Sequence, residues 1–257
     1  MPCVVRADMV TSFDGPTLDA NLHLDVPDPG VGTVSLDTVN HSLLFYGTGA
    51  DLWDTRNGLP YAWTDIPQVG VGGVWRAETE VHYNVPEHVT DFGYNWGRIA
   101  GITTYAGPDG SGGSYAGQEF TFQLDQWDDP YGVWVQGLGD HAPGNLPVDL
   151  HDDGLITDTV RLRMDVTVGD ANYNTYDFYY KLLPADTWTL LGTIQYASDD
   201  TRVALFFKGG NNTDGDMNVS FNYYNVTTVS GVPEPGVMAL AGLGAIGLLL
   251  ARPKKRS

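Results

Sequence analysis

Apolar and polar side chains alternate with period two along most of the chain. Trp75, Ala77, Thr79, Val81 and Tyr83 fall on one face of a strand, and Arg76, Glu78, Glu80 and His82 on the other. Val160, Leu162, Met164, Val166 and Val168 alternate in the same way with Arg161, Arg163, Asp165 and Thr167. Phe178, Tyr180 and Leu182 alternate with Tyr179 and Lys181. A turn at Pro184-Ala185-Asp186 precedes Trp188, Leu190 and Ile194; Val203, Leu205 and Phe207 follow, then Val219, Phe221 and Tyr223. Turns rich in Gly, Asp and Asn separate these runs, as at Gly169-Asp170-Ala171-Asn172 and Gly209-Gly210-Asn211-Asn212. No stretch before residue 236 keeps a helical period. Strands with one apolar face each must bury those faces against one another. The pattern therefore predicts two packed antiparallel sheets over residues 8–229, with no internal repeat and no linker.

Composition supports the same class. Of the 32 acidic residues 27 are Asp, a turn former, and only five are Glu, a helix former. The single cysteine, Cys3, excludes an internal disulfide and a Cys-based zinc site. Charge is unevenly placed. Residues 1–231 hold nine basic and 31 acidic residues, a net of −22, while Arg252, Lys254, Lys255 and Arg256 crowd the C-terminus. So acidic a body repels phosphate backbones, which excludes a nucleic-acid partner.

The C-terminus reads as an address. Val232-Pro233-Glu234-Pro235 is followed by an apolar run over 236–251 and then by the basic end. As a helix the run would span roughly 24 Å, short of a ~30 Å hydrocarbon core but long enough with snorkelling of the flanking cations. The basic end stays cytoplasmic by the positive-inside rule, which places the body outside. This tail, residues 230–257, resembles the PEP-CTERM sorting signal of Gram-negative bacteria. The resemblance implies an exosortase-type processing enzyme as partner, transient anchoring in the inner membrane, and export to the envelope or extracellular matrix. At the other end, Met1 to Val5 is too short for a signal peptide, yet Val5-Arg6-Ala7 fits a small-residue cleavage site. Residues 1–7 are therefore expected to be the remnant of a signal that extends upstream.

Three stretches of the body resemble concanavalin A-like lectin/glucanase sandwiches, in particular laminin-G-like modules. They are Phe13 to Asp19, the pair Gly49 to Trp53 and Gly73 to Val81, and the succession of strands from Val160 to Val226. The resemblance implies an all-β, two-sheet antiparallel jelly-roll sandwich, followed by one C-terminal transmembrane helix.

Candidate chemistry is sparse. Glu78, Glu80 and His82 share a strand face, but glucanases of this fold place Glu, Asp and Glu at such spacing, so the proton donor is missing. This face is expected to be solvated, and no catalytic residue is assigned. The six histidines show no zinc spacing, and no nucleophile elbow, P-loop or dinucleotide fingerprint occurs. Asp125/Asp128/Asp129, Asp152/Asp153 and Asp214/Asp216 lack the EF-hand pattern but can hold a structural Ca²⁺ in loops; no metal ligand or other cofactor is assigned. The chain has seven Trp and 14 Tyr, and aromatic rings stack on the apolar faces of sugars. Trp75 and Trp188 follow the core alternation and are expected to pack inside. Trp96, Arg98, Tyr115, Trp127, Trp134 and Gln136 are the candidate carbohydrate-binding residues. The acidic body favours a neutral or cationic polymer unless Ca²⁺ bridges. The expected function is an exported, non-catalytic surface or matrix protein binding extracellular polysaccharide. The alternatives are a glycan-cleaving enzyme of the same fold and a structural matrix protein without a ligand.

Overall fold

The computed structural model describes residues 9–26, 29–30, 32–47, 60–83, 98–105, 118–125, 132–139, 146–149, 159–198, 200–209 and 217–229. The expected signal remnant and the sorting tail lie outside these residues, as do Asp128, Asp129, Asp152, Asp153, Asp214 and Asp216. Among the described residues no helix is long and apolar enough to cross a membrane, and the 236–251 run lies outside them.

The strands are β1 (Met9–Thr11), β2 (His23–Asp25), β3 (Gly32–Asp37), β4 (Ser42–Gly47), β5 (Tyr61–Asp65), β6 (Val74–Tyr83), β7 (Arg98–Tyr105) and β8 (Gln118–Asp125). They continue as β9 (Gly132–Gly139), β10 (Leu146–Asp149), β11 (Thr159–Thr167), β12 (Tyr173–Leu182), β13 (Thr189–Ala197), β14 (Arg202–Gly209) and β15 (Met217–Thr228). Two sheets form. Sheet A has the order β13-β12-β11-β6-β15-β4-β3, with β1 also paired to β15; sheet B has the order β10-β9-β8-β7-β14-β5-β2. The ladders are antiparallel, as in β11 with β6 and β14 with β7. This is the two-sheet antiparallel sandwich that the alternation predicts.

The core follows the pleat. β11 alternates strictly between half-buried and buried positions, so Val160, Leu162, Met164 and Val166 enter the interior. Beside them lie Trp75, Ala77 and Val81 of β6 and Phe221, Tyr224 and Val226 of β15. Sheet B contributes Ala62, Ala100, Ile102, Val203, Leu205 and Phe207 to the same cluster. Each large side chain buried in this way contributes roughly 1.5–3 kcal/mol. The β11–β12 turn falls where the Gly169-to-Asn172 signal places it. Ala171 and Asn172 both adopt positive φ there, and a Cβ on Gly169 would lie 1.9 Å from the Tyr173 carbonyl oxygen, so only glycine fits.

Two bulges displace side chains from the faces that alternation alone assigns. In β15, Phe221 pairs with Val81 and Tyr224 with Thr79, so Asn222 and Tyr223 together oppose the single residue Glu80. Tyr224 then becomes the fully buried ring and Tyr223 turns outward, contrary to the simple alternation through Phe221 and Tyr223. In the β12–β13 ladder, Phe178 pairs with Gly192 and Tyr179 with Leu190, which leaves Leu191 as the extra residue. Leu191 packs on the core while Leu190 is 51% exposed. Trp188, expected inside, instead lies half-buried outside the core cluster.

Candidate functional site

The outward face of sheet A carries a continuous polar and aromatic layer. Its centre is β6, where Arg76, Glu78, Glu80 and His82 point away from the core, as their alternation requires. The face is not the freely solvated one expected: Glu80 is only 8% exposed. Arg161 Nε donates to Glu80 Oε2 at 2.7 Å, and Asn222 Nδ2 donates to Oε1 at 2.7 Å. Both carboxylate oxygens are therefore occupied. Burial opposes the charge on Arg161, yet its hydrogen bond to Glu80 and the nearby Tyr223, Glu80 and Glu78 hold its pKa above the ordinary value.

The β15 bulge supplies the other half of this arrangement. Asn222 and Tyr223 are consecutive, and a regular strand would send them to opposite faces. The extra residue brings both outward, so Asn222 reaches Glu80 while the Tyr223 hydroxyl donates to Glu78 Oε1 at 2.8 Å. The bulge is pinned from beneath, where Thr79 Oγ1 donates to the Tyr223 carbonyl at 2.6 Å. Burial, then the charge and hydrogen bond of Glu78, push the Tyr223 phenol well above its ordinary pKa. The phenol thus stays a donor at neutral pH.

On the side of β6 that faces β11 and β12, Arg76 grips Asp165 with two parallel hydrogen bonds of 2.7 and 2.8 Å. That hydrogen bond, opposed by burial, raises the Arg76 pKa. Arg163 Nε lies 3.4 Å from the same Asp165 Oδ1. Its guanidinium sits 4.1 Å over the Tyr179 ring and 5.0 Å over Trp188, and Lys181 Nζ lies 5.1 Å over Trp188. At the far end of β6, His82 Nδ1 and Thr159 Oγ1 are 2.7 Å apart. Among the described residues no three His, Cys, Asp or Glu side chains gather in a way that could hold a metal ion.

The residues singled out from sequence fall elsewhere. Trp96, Tyr115 and Trp127 lie outside the described residues, and so does the sorting motif. Arg98 opens β7, paired with Leu124. Trp134 and Gln136 lie in β9, paired with Gln123 and Thr121. Sheet B thus brings the backbone of β7 and β9 to either side of β8. The sheet A residues Arg161, Arg163, Tyr179, Asn222 and Tyr223 were not singled out as site residues. Their sequence signal is the polar parity of each strand, which says nothing of which strands are neighbours. Sheet B has its own aromatic stack: the His23 ring lies 4.4 Å from Trp63, and the Arg202 guanidinium lies 3.7 Å over the same indole.

Comparison with known proteins agrees with both parts of this description. Residues 231–256 match the family model of the PEP-CTERM protein-sorting motif. The motif implies processing by exosortase, with export and sorting to the cell surface of a Gram-negative bacterium. No curated protein sequence matches the chain. Among solved structures, the chain is similar to a mutant of the GH43 protein BlXynB from Bacillus licheniformis, at 15% identity and a TM-score of 0.52. That match covers 86% of this chain but only 39% of the other, so the chain spans well under half the length of that protein. It is similar as well to a mutant of alginate lyase Aly36B in complex with alginate tetrasaccharide, at 10% identity and a TM-score of 0.51, covering 88% of this chain and 98% of that one. A third is the CBM2 module of the Lactobacillus casei BL23 phage J-1 evolved Dit, at 10% identity and a TM-score of 0.50, covering 88% and 96%. At these identities the likeness concerns the fold. The chain is therefore a protein carrying an exosortase sorting signal, with a sandwich resembling those of carbohydrate-binding and glycan-active proteins.

Proposed function

We propose that this protein is a non-catalytic surface or matrix component that binds extracellular polysaccharide through a concanavalin A-like jelly-roll sandwich. In this reading the run over 236–251 crosses the inner membrane as a helix until exosortase acts at Pro233-Glu234-Pro235. The observation that carries the binding reading is the outward face of sheet A. Half-buried Tyr179, Trp188 and Tyr223 rings lie there among Arg, Glu and Asn side chains, outside the hydrophobic core cluster formed by the described residues. Rings of this kind stack on the C–H faces of sugars, while the polar groups meet hydroxyls. Arg161 and Asn222 hold both Glu80 oxygens, which in this reading makes that carboxylate an anchor of the polar face. The likeness to a carbohydrate-binding module and to glycan-active proteins raises the same reading.

The test is a pull-down of the full chain on insoluble polysaccharides, with an assay for new reducing or unsaturated ends in the same tubes. Retention without new chain ends is the expected result. New ends released at a rate proportional to protein would replace this reading with the enzymatic one.

A further inference from the structure

We propose that the outward face of sheet A holds a saccharide subsite along the paired positions Tyr179, Arg163, Glu78 and Asn225, walled by Trp188, and that it takes an uncharged glycosyl unit through its hydroxyls. This rests on the glycan-binding reading above. The register sets the four residues in one row across adjacent strands: Tyr179 pairs with Arg163, Arg163 with Glu78, and Glu78 with Asn225. Arg163 and Asn225 are then two strand spacings apart, about 10 Å between their Cα atoms.

The row holds polar groups that the protein itself leaves unmatched. Arg163 Nε and Asn225 Oδ1 are buried without a hydrogen-bond partner. Asp165 Oδ1, the acceptor nearest to Arg163 Nε, is already engaged by Arg76 at 2.7 Å. Glu78 Oε1 accepts from Tyr223, and Oε2 has no donor among the described residues. Buried polar groups in native proteins are almost always matched by protein or ordered water, so a small shift of these side chains toward a polar ligand would gain hydrogen bonds that the protein itself does not make. A ligand that accepts from Arg163 and donates to Glu78 matches the row, and the Asn225 amide can take either role. A hydroxyl does both, and a ring bearing several hydroxyls can meet all three groups.

A carboxylate or sulfate group fits poorly. It can accept from Arg163 and from the Asn225 amide, but it has no proton for Glu78. It would also sit among the charges of Glu78, Glu80, Asp165 and Asp177, which offset those of Arg76, Arg161, Arg163 and Lys181 on this face. The aromatic walls complete the subsite. Tyr179 and Trp188 both lie against the Arg163 guanidinium, Lys181 also meets the Trp188 ring, and the half-buried indole keeps part of its surface exposed for the apolar face of a sugar.

The experiment is calorimetric titration of the full chain with xylohexaose, cellohexaose and mannohexaose as uncharged probes and alginate tetrasaccharide as the anionic one. It is repeated on Asn225→Ala, Glu78→Gln and, on the opposite sheet, Trp63→Ala, with thermal midpoints confirming that each variant folds. We expect at least one uncharged probe to bind. Its affinity should fall about tenfold in Asn225→Ala and in Glu78→Gln and stay within twofold in Trp63→Ala. If Asn225→Ala fails to fold, Glu78→Gln decides alone. Binding that neither variant weakens overturns the subsite and leaves glycan binding standing, with ordered water satisfying the row. Tighter binding of alginate tetrasaccharide than of every uncharged probe overturns the ligand class. If no probe binds, both the subsite and the glycan-binding reading fall.

Discussion

Tyr223 donates its phenol to Glu78 at 2.8 Å, although alternation from Phe221 would turn that ring into the core. One extra residue in β15 opposite Glu80 accounts for the difference, and it also delivers Asn222 to Glu80. The bulge thus converts a regular strand into a platform holding two carboxylates. It also exchanges the identity of the buried tyrosine, because Tyr224 takes the interior position.

That exchange can be measured. Tyr224→Ala removes a fully buried ring and should cost about 3–5 kcal/mol of unfolding free energy. Tyr223→Ala removes a half-buried ring with one charge-assisted hydrogen bond and should cost about 2 kcal/mol or less. Urea denaturation of the two variants decides the point. A larger loss from Tyr223→Ala would return that ring to the core.

The Glu80–Arg161 pair makes a second prediction. Arg161→Ala would leave Glu80 buried with only Asn222 as donor. A fully buried pair broken in this way costs about 3–5 kcal/mol, but the Arg161 side chain keeps 34% of its exposure, so water can reach part of the gap. We expect a loss of about 2 kcal/mol by urea denaturation. A change below about 0.5 kcal/mol would mean that solvent already screens the pair.

How much of this was legible in the sequence differs by level. β11 shows its burial directly, because Val160 to Val166 and Arg161 to Thr167 have unmistakable parities. The bulges do not show. Phe221 and Tyr223 alternate as plausibly as Tyr224 and Val226, and Leu190 and Leu191 are chemically identical, so apolar character cannot locate the extra residue. The polar layer was visible only strand by strand. Glu80 and Arg161 are 81 positions apart in the chain and meet because β6 and β11 are neighbours in sheet A, which no local pattern encodes. The sorting tail is linear, with its proline motif, apolar run and basic end in order, and so it could be read without any fold.

Alkaline pH should weaken the fold through the tyrosines. Tyr176 is raised chiefly by burial, and Tyr223 by burial together with Glu78. Both phenols keep their protons in the folded state after unfolded tyrosines lose theirs. The unfolded state therefore gains as pH rises through about 10, so the stability held below that pH is progressively lost above it. Urea midpoints between about pH 8.5 and 11 should fall, and less steeply in Tyr223→Phe than in the unmodified chain. Parallel profiles for the two would remove Tyr223 as a contributor.

Sorting should depend on Glu234, the only charge within Val232-Pro233-Glu234-Pro235. Proline lacks the amide hydrogen a helix interior needs and disfavours helical geometry in the residue before it, which is the basis for expecting an accessible motif. Glu234→Ala should leave full-length protein in the inner membrane, as read by mass spectrometry of the C-terminus in fractionated cells. Processing at the unmodified rate would deny the motif that role.

The proposed function is tested most directly by affinity electrophoresis of the full chain in native gels cast with a soluble neutral polysaccharide, for example xylan, glucomannan or β-glucan. We expect retardation in at least one gel, growing with polymer concentration and absent from a gel without polymer. Equal mobility in every gel would contradict glycan binding and leave a structural matrix protein as the reading.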